Sequence, residues 1–392
     1  MSVVVQKYGG SSVADIEKIK RVAQRVVRTR ELGHGVVAVV SAMGDTTNNL
    51  LALAGEIAKS PPGRELDMLV TVGERITMAL LAMAIHELGH ESVSFTGSQS
   101  GILTTASHSG ARVVEVRPYR IEDELEKGKI VIVAGYQGVS YQREITTLGR
   151  GGSDTTAIAL AAALRAEYCE ICSDVDGVWT SDPRKIPEAR KIDSLTHDEM
   201  LEMAIAGAKV LNADAVEYAR RNGIAIYARS TFGGTEQTGT LVRLDLDPNR
   251  GGITAIACRT DLFEFIGSRP STTALQEQAR AKGFPAPFLL EATGDRVRLV
   301  YCTENAQDAK AMVQWFQTQS PEGNLTPAMG LVTLIGPGIF PGSPLLESLL
   351  EGTDRAGILS QRTSSGTCQL FLPPENTQDT ASLLHKRAFP LH

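Results

Sequence analysis

The sequence predicts an α/β three-layer sandwich with a mainly parallel central sheet, followed by a smaller α+β region. Three observations carry this. Strand-length apolar runs alternate with helical patterns through the first 246 residues. The run at 35–43 is apolar without alternation, the mark of a strand covered on both faces. The pattern then changes at 247–252, where Pro248, Asn249, Gly251 and Gly252 read as a linker.

Residues 3–8 form a short apolar strand, and the helix after them carries Val13, Ile16, Ile19, Val22 and Val26 on one face. Further strands are expected at 92–95, 129–134, 168–173 and 224–230, with helices between them. Thr196 and Glu199 have the spacing of a capping box at the start of one helix. Beyond the linker, strand patterns at 254–266, 288–292 and 297–302 and helices at 272–282 and 306–318 make one round. A strand at 331–335 and a helix at 344–350 start a second, shorter one. Two small βαββαβ-like units in tandem fit this count, dividing the chain into 1–246 and 253–392.

Composition narrows the function classes. A chain of 392 residues exceeds one ordinary core. It is 42% hydrophobic and 21% charged, an ordinary soluble balance. The net charge of −6 and the absence of a basic block argue against nucleic acid or an anionic membrane as partner. The longest apolar stretches, such as 76–85, fall short of a bilayer span, and the N-terminus lacks the apolar region of a signal peptide. Five cysteines do not make a disulfide framework, and Cys169 and Cys172 read as reduced strand thiols without a second pair for zinc. A cytoplasmic location is expected.

The chemistry concentrates in a few segments. Lys7-Tyr8-Gly9-Gly10-Ser11-Ser12 follows the first strand and opens a helix. Its glycines let backbone N–H groups approach an anion, the helix start adds positive potential, and Lys7 supplies a compact cation. A plain helix-entry turn with a surface lysine is the competing reading, and the segment matches neither the P-loop nor G-x-G-x-x-G. Leu148-Gly149-Arg150-Gly151-Gly152-Ser153-Asp154 precedes a strongly helical run. Three glycines, an acid and an arginine able to grip a carboxylate with two parallel bonds are more than an N-cap needs. Residues 173–184, SDVDGVWTSDPR, form a polar loop after a strand, where α/β ligands usually bind, and lack EF-hand spacing. Ser41 to Thr47, Gly73-Glu74-Arg75 and Gly207-Ala208-Lys209 are each ambiguous alone, as capping hydroxyls or surface charges.

Taken in order from Val4 to about Val242, KYGGSS, VSAMGDTTN, VGERIT, SFTGSQSGI, TLGRGGSDTTA, SDVDGVWTSDPR and GAKVL resemble the aspartate kinases of the amino acid kinase family. The resemblance implies the fold above, with tandem ACT-like regulatory units in the C-terminal region. It also implies transfer of the γ-phosphate of ATP, with Mg²⁺, to the side-chain carboxylate of L-aspartate, the first step of aspartate-family amino acid biosynthesis. Lys7, Asp154 and Lys209 would be catalytic, the lysines neutralising the β,γ-phosphates and Asp154 orienting Lys7. Tyr8, Gly9, Gly10, Ser41, Ser173, Asp174, Trp179, Asp182 and Arg184 would join the lysines in holding the nucleotide. Arg150 would clamp the α-carboxylate of the acceptor. Thr47, Glu74, Gly151, Gly152 and Ser153 would complete its pocket, Glu74 meeting the α-ammonium. No dedicated protein metal ligand is implied, since Mg²⁺ on phosphates keeps several waters. ACT-like units imply a homodimer or higher homo-oligomer.

The chain departs from the family pattern at Ser173, usually Thr, at Trp179, usually Tyr, and at Asp214, usually a cation. The turn Gly267-Ser268-Arg269-Pro270-Ser271-Thr272 lacks the glycine expected before its helix, so altered feedback control is expected. Two other readings are an enzyme of this fold acting on another small acid, and a non-catalytic amino-acid-sensing subunit.

Overall fold

The computed structural model describes residues 1–149, 151–233, 239–246, 251–282, 284–304, 309–319, 323–353 and 357–390. Arg150 and most of the linker at 247–252 lie outside the described residues. The chain divides into two compact units: one of residues 1–178, 191–204 and 209–248, the other of 179–190, 205–208 and 249–392.

In the first unit, elements follow in the order β1 (Val3–Tyr8), α1 (Ile16–Glu31), β2 (Gly35–Val40), α2 (Thr46–Ile57), α3 (Gly63–Val70), α4 (Val72–Glu87), β3 (Ser92–Phe95), β4 (Ile102–Thr104), β5 (Val113–Val116), α5 (Tyr119–Glu126), β6 (Ile130–Ala134), β7 (Gln137–Ser140), β8 (Ile145–Thr147), α6 (Gly152–Ala163), β9 (Tyr168–Ser173), β10 (Ser194–Thr196), α7 (His197–Ile205), α8 (Ala213–Asn222), β11 (Ile226–Ser230) and β12 (Thr240–Arg243). The eight-stranded sheet has the order β10-β12-β11-β9-β1-β2-β6-β3. Its pairs are parallel except β11 with β12.

Burial explains the apolar runs. β2 and β6 are buried along their whole length. One sheet face packs Tyr8, Val36, Val40, Ile130 and Ile132 against Ile19, Val22 and Val26 of α1 and Leu81 and Ile85 of α4. On the other face lies α6, whose small side chains, Ala157, Ala159 and Ala161 among them, are buried and let it approach β1 and β9. Thr196 and Glu199 form the expected capping box: the Thr196 N–H donates to Glu199 at 2.8 Å, and the Glu199 N–H donates to the Thr196 hydroxyl at 3.1 Å. α3 and α4 follow one another directly, and by length and composition the stretch Gly63–Glu87 could cross a membrane. Its Asp67, Glu74 and Thr77 are buried, and Leu81 and Ile85 belong to the core, which gives the stretch a packing role inside the unit. The sequence reading had no counterpart for the second sheet, β5-β4-β7-β8, whose strands span only three or four residues.

The second unit carries β13 (Ala255–Ser268), α9 (Arg269–Ala281), β14 (Leu289–Thr293), β15 (Arg296–Cys302), α10 (Ala309–Gln319), β16 (Asn324–Ile335), α11 (Pro344–Leu350), β17 (Ser360–Ser364), β18 (Thr367–Leu372) and α12 (Thr377–Ala388). They build one six-stranded sheet, β14-β15-β13-β16-β18-β17. Its two βαββαβ-like halves are interleaved. Of β13, it is the 262–268 portion that pairs with β15, and of β16, the 330–335 portion that pairs with β18. The register of β13 on β16 shifts between Arg259 and Leu262, where one half gives way to the other. Phe263, Phe265, Tyr301 and Phe316 fill the first half; Ile256, Val332, Leu334 and Leu370 fill the second.

Residues 179–190 are held inside this second unit. Ile186 sits in its core, the Thr180 hydroxyl bonds His385 Nε2 at 2.9 Å, and the Ile256 N–H donates to the Thr180 carbonyl at 2.7 Å. Residues 205–208 are held there too, by Arg259, whose guanidinium donates to the Ile205 carbonyl at 2.9 Å.

Candidate functional site

The C-terminal ends of β1, β2 and β9 lie side by side, because the three are parallel neighbours at the middle of the sheet. Their following loops are laced by backbone bonds: Ser41 N–H to the Tyr8 carbonyl at 3.1 Å, Gly44 N–H to the Gly10 carbonyl at 3.2 Å, and Gly9 N–H to the Cys172 carbonyl at 3.3 Å. This is where an open parallel sheet holds its ligands.

Lys7 projects from the end of β1 onto Asp154 in the first turn of α6, with Nζ 2.6 Å from Oδ1 and each side chain 12% exposed. A Cβ added at Gly9 would lie 3.5 Å from Lys7 Nζ, and one at Gly10 would press to 3.0 Å from the Ala42 carbonyl. Gly9 therefore leaves backbone open beside the mostly buried Lys7 ammonium, which fits phosphate oxygens, while Gly10 lets its turn close on the Ala42 carbonyl. The Tyr8 ring belongs to the core, and its hydroxyl donates to Gln6 Oε1 at 3.1 Å, so Tyr8 offers the loop only its backbone.

Gly151 has φ +75°, and a Cβ there would collide with Asn212, which caps α8. Gly152 packs closely on Leu148 and Tyr136, and Ser153 on Gly135. The three residues thus set the entry of α6 and with it Asp154.

Glu74 opens the other side. It stands in the first turn of α4, and Gly73 beside it leaves room for Ala42. The Glu74 side chain is buried; its Oε1 accepts the Ala42 N–H at 3.2 Å, and its Oε2 finds no partner among the described residues. Burial pushes its carboxyl up to about 7, partly opposed by backbone hydrogen bonds. A buried acid with one unmet oxygen is a seat for a cation or an ammonium group.

Among the other sequence-predicted residues, Thr47 is half-buried in α2, next to Thr46, whose hydroxyl donates to the Met43 carbonyl at 2.6 Å. Ser173 ends β9; its carbonyl takes the Thr231 N–H at 2.8 Å and its hydroxyl the Val175 N–H at 3.3 Å. Asp174 and Lys209 are exposed, Lys209 three residues before the Asn212 cap. Trp179, Asp182 and Arg184 belong to the second unit, where Arg184 pairs with Asp182 at 3.0 Å. Two motif segments therefore change unit part-way, after Val178 and after Ala208.

Sequence reasoning missed Ser12 and Thr231, whose hydroxyls meet at 2.5 Å, and Arg25, which donates to the Ser230 carbonyl at 2.8 Å. The one metal-ligand-like grouping among the described residues, Asp261, Cys302 and Glu304, lies in the second unit and holds the Arg259 guanidinium. That cation occupies the place a metal ion would need.

The amino acid kinase family model matches residues 2–230. Aspartokinase from Corynebacterium glutamicum is 56% identical over 99% of this chain and 96% of its own length. Aspartokinase from Mycolicibacterium smegmatis is 57% identical over 62% of this chain, a match that spans 58% of that relative's length. The structure of E. coli aspartokinase III in complex with aspartate and ADP superposes with a TM-score of 0.83 at 23% identity, over 99% of this chain and all of that one, a likeness of fold.

Glu74 makes a pH prediction. Its carboxyl titrates near 7 in the folded protein against 4.5 ordinarily, so the stability carried by the neutral form is complete below 4.5 and lost as pH rises through about 7. Glu74→Gln cannot ionise. Relative to wild type it should gain on the order of 2 kcal/mol between about pH 5 and about pH 8 in urea unfolding. An equal difference at both pH values would contradict the buried, raised carboxyl.

Proposed function

The chain belongs to the amino acid kinase family, among the aspartokinases, and from that premise we propose that it transfers the γ-phosphate of MgATP to the side-chain carboxylate of L-aspartate, giving 4-phospho-L-aspartate and ADP. The observation that carries the reading is the mostly buried Lys7–Asp154 pair beside the open backbone of Gly9. Mg²⁺ enters as part of the nucleotide substrate and neutralises phosphate charge there. E. coli aspartokinase III has been solved with aspartate and ADP, ligands of the classes proposed here.

The chemistry asks little of the protein beyond position and charge. A carboxylate oxygen of aspartate attacks the γ-phosphorus, and the bond to the β,γ-bridging oxygen breaks and leaves with ADP. The acceptor is already ionised at neutral pH, so no general base is needed. Lys7 compensates the charge moving onto the bridging oxygen, held in direction by Asp154. Glu74 receives the α-ammonium, which restores the ionised form that burial disfavours. Arg150 takes the α-carboxylate, leaving the side-chain carboxylate free to react.

Purified protein with MgATP should release ADP only when aspartate is present, and hydroxylamine should trap an aspartyl hydroxamate. ADP release that is independent of aspartate, or equal with glutamate, would overturn the assignment. Arg150→Lys keeps the charge and loses the two-pronged grip, so the aspartate KM should rise about tenfold or more with the ATP KM little changed. Equal rises in both would place Arg150 on the phosphates instead.

We propose further that the chain pairs with itself through the second unit, whose sheet among the described residues ends on the edge strands β14 and β17. Full-length protein at micromolar concentration should scatter light as a dimer or larger, and a monomer would contradict this.

A further inference from the structure

We propose that Asp67 is a positioning residue for the acceptor pocket, holding the segment Thr147-Leu148-Gly149, which runs directly into Arg150, against the turn at His108-Ser109-Gly110. The inference rests on the reading of Arg150 as the clamp on the acceptor's α-carboxylate.

Asp67 stands in α3 and is 1% exposed. A buried carboxylate is costly unless its lone pairs are met. Those of Asp67 are met by two segments far from it in sequence. Oδ1 accepts the Thr147 hydroxyl at 2.6 Å and the Ser109 N–H at 3.1 Å. Oδ2 faces His108 Nδ1 at 2.8 Å, with the Ser109 N–H at 3.2 Å and the Thr147 N–H at 3.3 Å. A carboxylate can only accept, so His108 carries its proton on Nδ1 toward Asp67.

Both tied segments turn through left-handed backbone, which costs strain at Ser109 and is open to the glycine at 149. Ser109 has φ +60°, uncommon for a residue with a side chain, and Gly149 has φ +76°. The two turns lie side by side: a Cβ added at Gly149 would sit 3.7 Å from Gly110 Cα and 3.9 Å from the Ser109 carbonyl. The Ala111 N–H donates to the Thr147 carbonyl at 2.8 Å, and the Leu148 N–H to the Tyr136 carbonyl at 2.9 Å. Asp67 is the charged centre of this frame. None of its hydrogen-bond partners is Lys7, Gly9, Gly10 or Asp154, so its loss should fall on the acceptor and spare the nucleotide.

The test is steady-state kinetics on the full-length protein with both substrates varied. Asp67→Ala frees Ser109 and Thr147, and a displacement of about 1 Å at a substrate clamp is enough to raise the aspartate KM about tenfold or more, with the ATP KM within about twofold. Asp67→Asn keeps one oxygen for the Thr147 hydroxyl and the Ser109 N–H and should return the aspartate KM to within about threefold of wild type. A merely structural role would lower the melting temperature and the active fraction and leave both KM values unchanged. Should Asp67→Ala prove insoluble, His108→Ala carries the test: His108 is 26% exposed, and its loss leaves Asp67 in place. It should raise the aspartate KM about threefold with no change for ATP. An aspartate KM within twofold of wild type in the variant tested, or equal rises for both substrates, overturns the proposal. Wild type without aspartate-dependent turnover would instead overturn the kinase reading itself.

Discussion

The ion pair between Lys7 and Asp154 is the constraint around which the first unit is arranged. Two charges held mostly out of water are costly to bury, and they are tolerated only when each lies close to its counter-charge. The sheet and one helix supply that proximity. β1 lies inside the sheet between β2 and β9, so the strand carrying Lys7 cannot shift without breaking two ladders. α6 carries Asp154 and is clad in small side chains that let it approach β1 and β9. Its start is fixed by Gly151 and Gly152, where any side chain would collide. The glycines, the parallel sheet and the alanine-rich helix are thus parts of one solution: an ammonium group presented at the edge of an open backbone turn.

A second acid stands near the start of α4 under opposite physics. Asp154 has its cation within the protein; Glu74 is buried with one oxygen unmet, and burial raises its carboxyl toward neutrality. A group of that kind stores a preference for a positively charged ligand, because an arriving ammonium supplies the partner that the fold withholds. In the reaction proposed above the two acids divide the chemistry, one orienting the cation for the phosphates and the other meeting the amino group of the acceptor.

Much of this is legible in the sequence. The strands at 92–95 and 168–173 and the helix at 344–350 coincide with β3, β9 and α11, since short strand-length patterns and a proline at a helix start speak locally. The Lys7 and Asp154 segments stood out because their glycines and charges exceed what a turn or a cap requires. What stayed hidden depends on long-range pairing. β4, β5, β7 and β8 are too short to carry a period. The interleaving of β13 with β16 is a matter of register that neither strand encodes alone. Asp67 sits in GRELDML, which reads as the polar start of a surface helix; only the fold brings His108 and Thr147 to it. The residence of Trp179, Asp182 and Arg184 in the second unit was equally unreadable, because Ile186 looks like any loop isoleucine until its core partners are known.

If the pair is the pivot of phosphoryl transfer, its members act as one device, which a double-mutant cycle on kcat tests most directly. Lys7→Ala, Asp154→Asn and the double variant would be compared with wild type at saturating ATP and aspartate, with folding of each checked by melting. The account predicts that both single changes lower kcat and that the double variant is no slower than Lys7→Ala alone, because Asp154 has no cation left to direct. Losses that multiply in the double variant would mean that the two residues act independently, and would contradict it.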